Sequence, residues 1–198
     1  MIAMRYPRIL ICMGLVAIAF AWVVIGASWI LNPWFVFTED AFSDFGGPES
    51  CCPELYNYGL MVAGMLIVLY GLAICVVADE KLEVAGGSYV ILAGVFLALI
   101  GVFPSGTKPH TFVSSWFFIQ MYMAFMVLGV GMHRRGLKYG REIAAISALS
   151  IPIAVILELI WGWPSAAVLE TYGVIIIDIC VILASITYLS LARTREYA

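Results

Sequence analysis

Three carboxylates lie inside long apolar stretches of this sequence, at Glu158, Glu170 and Asp178. An ionisable side chain in hydrocarbon costs roughly 2.5–3.5 kcal/mol on insertion scales, so it usually faces a protein interior, a polar partner or water. Residues eight positions apart return to nearly the same helix face, so Glu170 and Asp178 should form one polar track. A charge at a helix N-terminus would also explain Glu170. Asp178 is too deep for that explanation, which favours a functional or partnered carboxylate.

Further polar residues lie in turns rich in Gly and Pro. Ser43 and Asp44 belong to "FSDFGG", and His110 follows "GVFPSGTKP". Histidine can carry a proton, bind a metal or donate to a headgroup, although an imidazole at the membrane interface needs none of these roles. Asp44 is equally explained as a turn residue that accepts hydrogen bonds from nearby amides. Asn57, at the start of an apolar run, is interpreted most simply as a helix cap.

Several kinds of function fit these residue types. A pocket that binds a lipid headgroup or a small amphipathic molecule is the preferred hypothesis, with membrane lipid as the partner. An intramembrane hydrolase or headgroup transferase is the alternative, since Asp and Glu near His can act as acid and base or hold a metal that activates water. A proton or cation transporter and a structural subunit stay open. The candidate pocket residues are Ser43, Asp44, Asn57, His110, Glu158, Glu170 and Asp178.

The candidate ligands for a metal site are His110, Asp44 and Asp178. Catalytic zinc sites typically have three protein ligands and one open position. His110 is the one histidine near the other candidates, so carboxylates would have to supply the remaining ligands. As a candidate nucleophile, Ser43 lacks the surrounding G-x-S-x-G motif of a nucleophile elbow. The residues therefore indicate no particular cofactor or reaction.

Composition predicts the membrane-spanning helices that position these residues. Of 198 residues, 64% are hydrophobic and 12% charged, compared with about 45–50% and about 25% in soluble domains. Roughly 20 apolar residues span the hydrocarbon core as a helix, because every amide must bond within its own segment. The sequence thus predicts an all-α bundle of six transmembrane helices in a single domain, residues 1–198. The predicted spans are 9–31, 55–78, 86–104, 112–132, 142–162 and 168–192.

Basic residues predict the orientation of the chain. Lys and Arg are retained on the cytoplasmic side of short loops. Lys108 alone falls on the side of loops 32–54, 105–111 and 163–167, which should be extracytoplasmic, while both termini should be cytoplasmic at the cell membrane. The formal charge of −3 gives no basic excess for nucleic acid. Nine basic residues fall on the cytoplasmic side: Arg5, Arg8, Lys81, Arg134, Arg135, Lys138, Arg141, Arg193 and Arg195.

The order of several motifs resembles the domain-of-unknown-function family 998. The motifs are "SDFG" after the first span, Asn57, "GVFP" with His110 six residues after its proline, and Glu170 opening the sixth span. The resemblance covers nearly the whole chain and implies a multi-span membrane protein with a shared polar site, without an established reaction. The more usual "SDLG" has Phe45 here, and Thr171 stands where an arginine is expected.

Other residues bear on the shape and redox state of the protein. Cys51 and Cys52 are adjacent and on the predicted outer side, where a vicinal disulfide, pairing between chains and free thiols are all open. Pro152 should bend the fifth span near Glu158 and open space around that carboxylate. Small residues such as Gly64 permit close helix packing. They are compatible with a homo-oligomer but do not argue for one.

Overall fold

A computed structural model describes residues 6–197, with side chains for residues 8–191. Arg5 lies outside the described residues, as do the side chains of Arg193 and Arg195. All regular structure in the described part of the chain is helical, and each long helix has the length and composition to cross a membrane. The prediction of an all-α six-helix bundle is confirmed. The helices are α1 (Tyr6–Leu31), α2 (Pro53–Val77), α3 (Lys81–Val102), α4 (His110–Arg134), α5 (Gly140–Trp161) and α6 (Ala166–Tyr197).

Helix α3 begins five residues earlier than the sequence predicts. Glu80 is its N-cap, and the Glu80 carboxylate accepts a hydrogen bond from the Leu82 amide at 2.5 Å. The first turn contains the charged residues Lys81 and Glu83, which fall outside the predicted span 86–104. A capped, charged first turn is ordinary at a helix N-terminus. Hydrophobicity located the apolar part of the span but not its polar start.

Helices that follow one another in sequence pack side by side, and α6 closes the bundle against α1 and α5. Glycines allow the closest approaches. A Cβ atom added at Gly64 would lie 2.5 Å from the Gly94 carbonyl oxygen, and one at Gly129 would lie 2.5 Å from the Ala144 amide nitrogen. Such distances cannot be accommodated without moving backbone. The predicted role of Gly64 in close helix packing is therefore confirmed at the α2–α3 interface.

Helix α5 is packed into the bundle over only half of its length. Its buried residues are Gly140, Ile143, Ser147 and Ser150, and none of the residues 151–161 is buried. The change falls next to Pro152, which has no amide hydrogen and crowds the preceding turn. The second half of α5 therefore leaves part of α4 and α6 uncovered.

The connections gather at two ends of the bundle. We call the end formed by loops 32–52, 103–109 and 162–165 the first-loop end, and the end formed by loops 78–80 and 135–139 the basic end. The first loop contains a short 3-10 helix, Phe42–Gly46. It packs against α1, α2 and α6, so its residues lie over the mouth of the bundle.

Candidate functional site

The first loop is held in place by a buried amide that sequence analysis did not single out. Asn32 is 1% exposed, and its Oδ1 accepts hydrogen bonds from the Cys51 amide at 2.8 Å and from Trp34 Nε1 at 3.1 Å. Its Nδ2 donates to the Ser28 carbonyl at 2.8 Å. These bonds connect both ends of the loop to α1. A lone Asn at the end of an apolar run carries no sequence signal for this role.

Asp44 also holds the loop in place. Its Oδ2 accepts a hydrogen bond from the Ala41 amide at 2.9 Å, which closes the 3-10 helix. Its Oδ1 accepts one from Ser105 Oγ at 3.0 Å, which ties the first loop to the α3–α4 connection. Both carboxylate oxygens are thus engaged by the protein. Ser105 is a partner that sequence analysis did not identify.

The interpretation of Asn57 as a helix cap is wrong. Helix α2 begins at Pro53 with Cys52 as its N-cap, so Asn57 lies past the first turn. Its Nδ2 donates to the Gly46 carbonyl at 3.0 Å. The amide therefore anchors the end of the 3-10 helix to α2. Neither Asp44 nor Asn57 is among the residues that line the cavities described below.

His110 starts α4 and joins it to α3. The residue is 9% exposed, and its Nδ1 lies 2.8 Å from the Phe103 carbonyl oxygen. Because a carbonyl can only accept, Nδ1 carries the proton of this bond. His110 is not among the residues that line either cavity.

A narrow central cavity of about 100 Å³ lies between α1, α2, α3, α4 and α6 beneath the first loop. Its wall is almost entirely apolar. The polar residues that line it are Ser43, Tyr56, Ser114, Glu170 and Asp178. Three of the predicted pocket residues, Ser43, Glu170 and Asp178, are therefore brought together here. The predicted polar track on the sixth helix faces this cavity.

The two α6 carboxylates are each held by one distant part of the chain. Glu170 Oε2 accepts a hydrogen bond from the Phe42 amide at 2.8 Å, so the 3-10 helix begins directly at this carboxylate. Asp178 Oδ2 accepts one from Trp22 Nε1 on α1, also at 2.8 Å. Each carboxylate accepts this single hydrogen bond within the described residues, and its second oxygen is available to a ligand.

A lateral cleft of about 820 Å³ lies where α5 stands away from α4 and α6. Glu158 lines it, but its Oε2 accepts a hydrogen bond from the Trp163 amide at 2.9 Å, just past the end of α5. The Tyr172 hydroxyl donates to the Ser150 carbonyl at 2.8 Å, and the Trp163 and Tyr172 rings lie 5.4 Å apart. Most of the remaining wall is apolar, including Leu169 and Ile151.

The cleft and the central cavity meet at Glu170. Ser114, Phe118 and Glu170 line both spaces. Since Ser114 and Phe118 are on α4 and Glu170 is on α6, the junction lies between these two helices. A molecule that enters from the side would meet a carboxylate and a hydroxyl there, and would have apolar surface on both sides.

The three residues considered for a metal site do not lie close to one another. Among the side chains of residues 8–191, no three of His, Cys, Asp and Glu lie close enough together to hold a metal ion. His110, Asp44 and Asp178 have separate partners, which are Phe103, Ser105 and Trp22. The arrangement is suited to ion pairing and hydrogen bonding by single carboxylates.

Cys51 and Cys52 lie at the surface of the first loop as free thiols. Their Sγ atoms are 3.4 Å apart. The contact with Cys51 is the main cause of a raised pKa of the Cys52 thiol, and the nearby Glu54 carboxylate adds to it. A raised pKa keeps Cys52 in the less nucleophilic thiol form.

A family model described as "Protein of unknown function (DUF998)" matches residues 15–187. This match runs from α1 to α6 and includes the residues of both cavities. The chain belongs to the DUF998 family. It is accordingly an integral membrane protein with six candidate spans. The curated proteins contain no match to this chain, and the solved structures contain none either.

The structure accounts for both departures of this DUF998 protein from the expected motifs. Phe45, in place of leucine in "SDLG", is fully buried and its ring lies 4.5 Å from that of Phe35. Thr171, in place of an arginine, donates from Oγ1 to the Ala167 carbonyl at 2.8 Å within α6. Glu170 consequently has no basic neighbour at the next position in the chain.

Proposed function

We propose that this DUF998 protein binds an amphipathic molecule of the bilayer, such as a lipid, in the lateral cleft. The polar group of the ligand lies at Glu170, and its apolar part lies along α4, α5 and α6. The observation that carries this proposal is that Glu170 lines both the cleft and the central cavity. Membrane lipid is the natural source of such a ligand, because the cleft opens sideways between helices.

The shape of α5 supports entry from the side. Residues 151–161 are not buried, so the entrance is bounded by apolar side chains such as Val155 and Leu159, which line the cleft and are exposed. An exposed apolar surface at this position is solvated by acyl chains in a bilayer. Pockets that take small molecules are mostly apolar with a few well-placed polar groups, which describes this cleft.

The proposed ligand comes from the outer leaflet. Among the described basic residues, Lys108 is the one that lies at the first-loop end, whereas Arg134, Arg135 and Lys138 lie at the basic end. The positive-inside rule then puts the basic end in the cytoplasm and loops 32–54, 105–111 and 163–167 outside. The cleft and Glu170 belong to the outer half of the protein in this orientation.

Native mass spectrometry of gently purified protein tests the proposal. Ala154 lines the cleft, so Ala154→Phe should put a bulky ring into it and obstruct binding. Ile153→Phe is the matched control, since Ile153 is exposed beside it and does not line the cleft. We expect wild type and Ile153→Phe to retain a co-purified amphiphile and Ala154→Phe to lose it. Equal occupancy in all three proteins would contradict the proposal.

A further inference from the structure

The central cavity contains two carboxylates and no protein cation. Glu170 and Asp178 both line it, while none of its lining residues, in the part of the chain that the structure describes, is Lys, Arg or His. Each carboxylate accepts one hydrogen bond from a neutral N–H group. An ionised carboxylate in an apolar enclosure is costly unless an opposite charge accompanies it. The described lining residues offer these carboxylates no positive charge, so a cationic group of a bound molecule would be their ion-pair partner.

The distance between the two carboxylates restricts that molecule. Glu170 and Asp178 are eight residues apart on one helix, which corresponds to about 12 Å along the axis at 1.5 Å per residue. The wall between them includes Val174 and Ile177 of α6 and Met121 of α4, all apolar. A ligand that reaches both carboxylates therefore has an apolar middle and a polar group at each end.

Aromatic residues at the cavity favour cations over neutral polar groups. Phe42, Tyr56 and Phe117 line it, and Trp22 bonds to Asp178. Aromatic faces attract ammonium groups, and more strongly where water is excluded. Hydroxyl groups gain less from such surroundings.

We propose that the central cavity binds a linear amphiphile with two amino groups separated by an apolar chain of about 12 Å. One ammonium pairs with Glu170 at the junction with the cleft, and the other pairs with Asp178 deeper in the bundle. This inference rests on the proposed function, since the molecule enters through the same cleft. Beyond that function, the inference specifies the charge of the ligand, the number of its charged groups and the distance between them.

Isothermal titration calorimetry on the full chain in phosphatidylcholine nanodiscs tests the inference, with 1,8-diaminooctane as the probe. Its eight methylenes give a nitrogen separation of about 11 Å, from single-bond lengths of about 1.5 Å. 1-Aminooctane has one amine, and 1,8-octanediol has the same length without charge. Wild type should bind the diamine about tenfold or more tightly than the monoamine, as expected for one additional charged contact.

Two variants test which carboxylate pairs with each amino group of the diamine. Asp178→Asn keeps an oxygen that accepts from Trp22, and it should abolish the advantage of the diamine while leaving the affinity for 1-aminooctane within about twofold. Glu170→Gln should weaken both amines. Glu49→Gln is the control, because Glu49 is an exposed carboxylate of the first loop that lines neither cavity, and it should leave the preference for the diamine unchanged.

Three outcomes would overturn the inference. These are equal binding of diamine and monoamine by wild type, binding of the diol as tightly as the diamine, and no binding of any probe. If one of them occurs while Ala154→Phe still loses its co-purified amphiphile, the proposed function stands, and the inference that the ligand has two positive charges is wrong. If no amphiphile is retained by wild type either, both fail.

Discussion

The basic end and the central cavity provide opposite surroundings for carboxylates. At the basic end Glu83 is fully buried, and Arg135 Nη1 donates to its Oε2 at 2.6 Å. Arg135 also bonds to Asp79. In the central cavity, Glu170 and Asp178 accept hydrogen bonds from neutral groups only. We infer that the Glu83 carboxylate, which pairs with a cation of the protein, maintains the structure, and that Glu170 and Asp178, which have no such cation among the described lining residues, bind one from outside.

Removal of the cation at the basic end should have the largest effect. Arg135→Ala leaves the Glu83 carboxylate buried without its partner, and we expect a loss of about 3 kcal/mol in the free energy of unfolding. SDS titration in mixed micelles would measure it. Arg134→Ala is the control, because Arg134 is 65% exposed and its nitrogen lies 3.8 Å from Glu80. That variant should lose less than about 0.5 kcal/mol. Equal losses in both variants would show that the Glu83 pair is not the stabilising feature.

Asp44 should behave like a structural carboxylate although it lies at the first-loop end. Asp44→Asn retains one acceptor oxygen and must give up the bond from Ala41 or the bond from Ser105. We expect a loss of about 1 kcal/mol, measured by the same titration. Glu49→Gln, at an exposed position in the same loop, should change nothing measurable. A fully stable Asp44→Asn variant would mean that the first loop does not depend on this carboxylate.

Asp178 should show the smallest effect and, in ligand-free protein, the opposite sign. Asp178→Asn keeps the bond from Trp22 and removes a charge that has no cation, so stability should be unchanged or higher by up to about 1 kcal/mol. Glu83→Gln removes one of the two carboxylates that bind Arg135 and should be destabilising by about 1–2 kcal/mol. A large loss in Asp178→Asn would make Asp178 a structural carboxylate like Glu83 and remove the distinction between the basic end and the central cavity.

The helices and the shared face of Glu170 and Asp178 follow from local sequence properties. Apolar runs specify spans because the bilayer requires them, and helical periodicity puts residues eight apart on one side. Both properties can be read without knowing which helices are neighbours. The predicted span 86–104 omits the polar start of α3, because charged residues such as Lys81 and Glu83 are typical of a loop between spans. Glu83 is compatible with burial only because Arg135 pairs with it.

The partners of the candidate residues depend on contacts between distant segments. Trp22 and Asp178 are 156 residues apart in the chain, and Phe42 and Glu170 are 128 apart. No local pattern reports such pairs. For the same reason the sequence grouped His110 with the carboxylates, although the structure places His110 at Phe103 and outside the lining of both cavities. Pro152 did indicate extra space near Glu158, where the lateral cleft lies.

The most direct test is a crystal structure of wild-type protein grown from a lipidic mesophase with saturating 1,8-diaminooctane. The account predicts one nitrogen within about 4 Å of a Glu170 oxygen and the other within about 4 Å of an Asp178 oxygen, the usual range of an ion pair. The apolar chain of the probe would lie against Val174 and Ile177. A central cavity without the diamine under these conditions, or a diamine bound elsewhere, would contradict the claim that these carboxylates await a cation from outside.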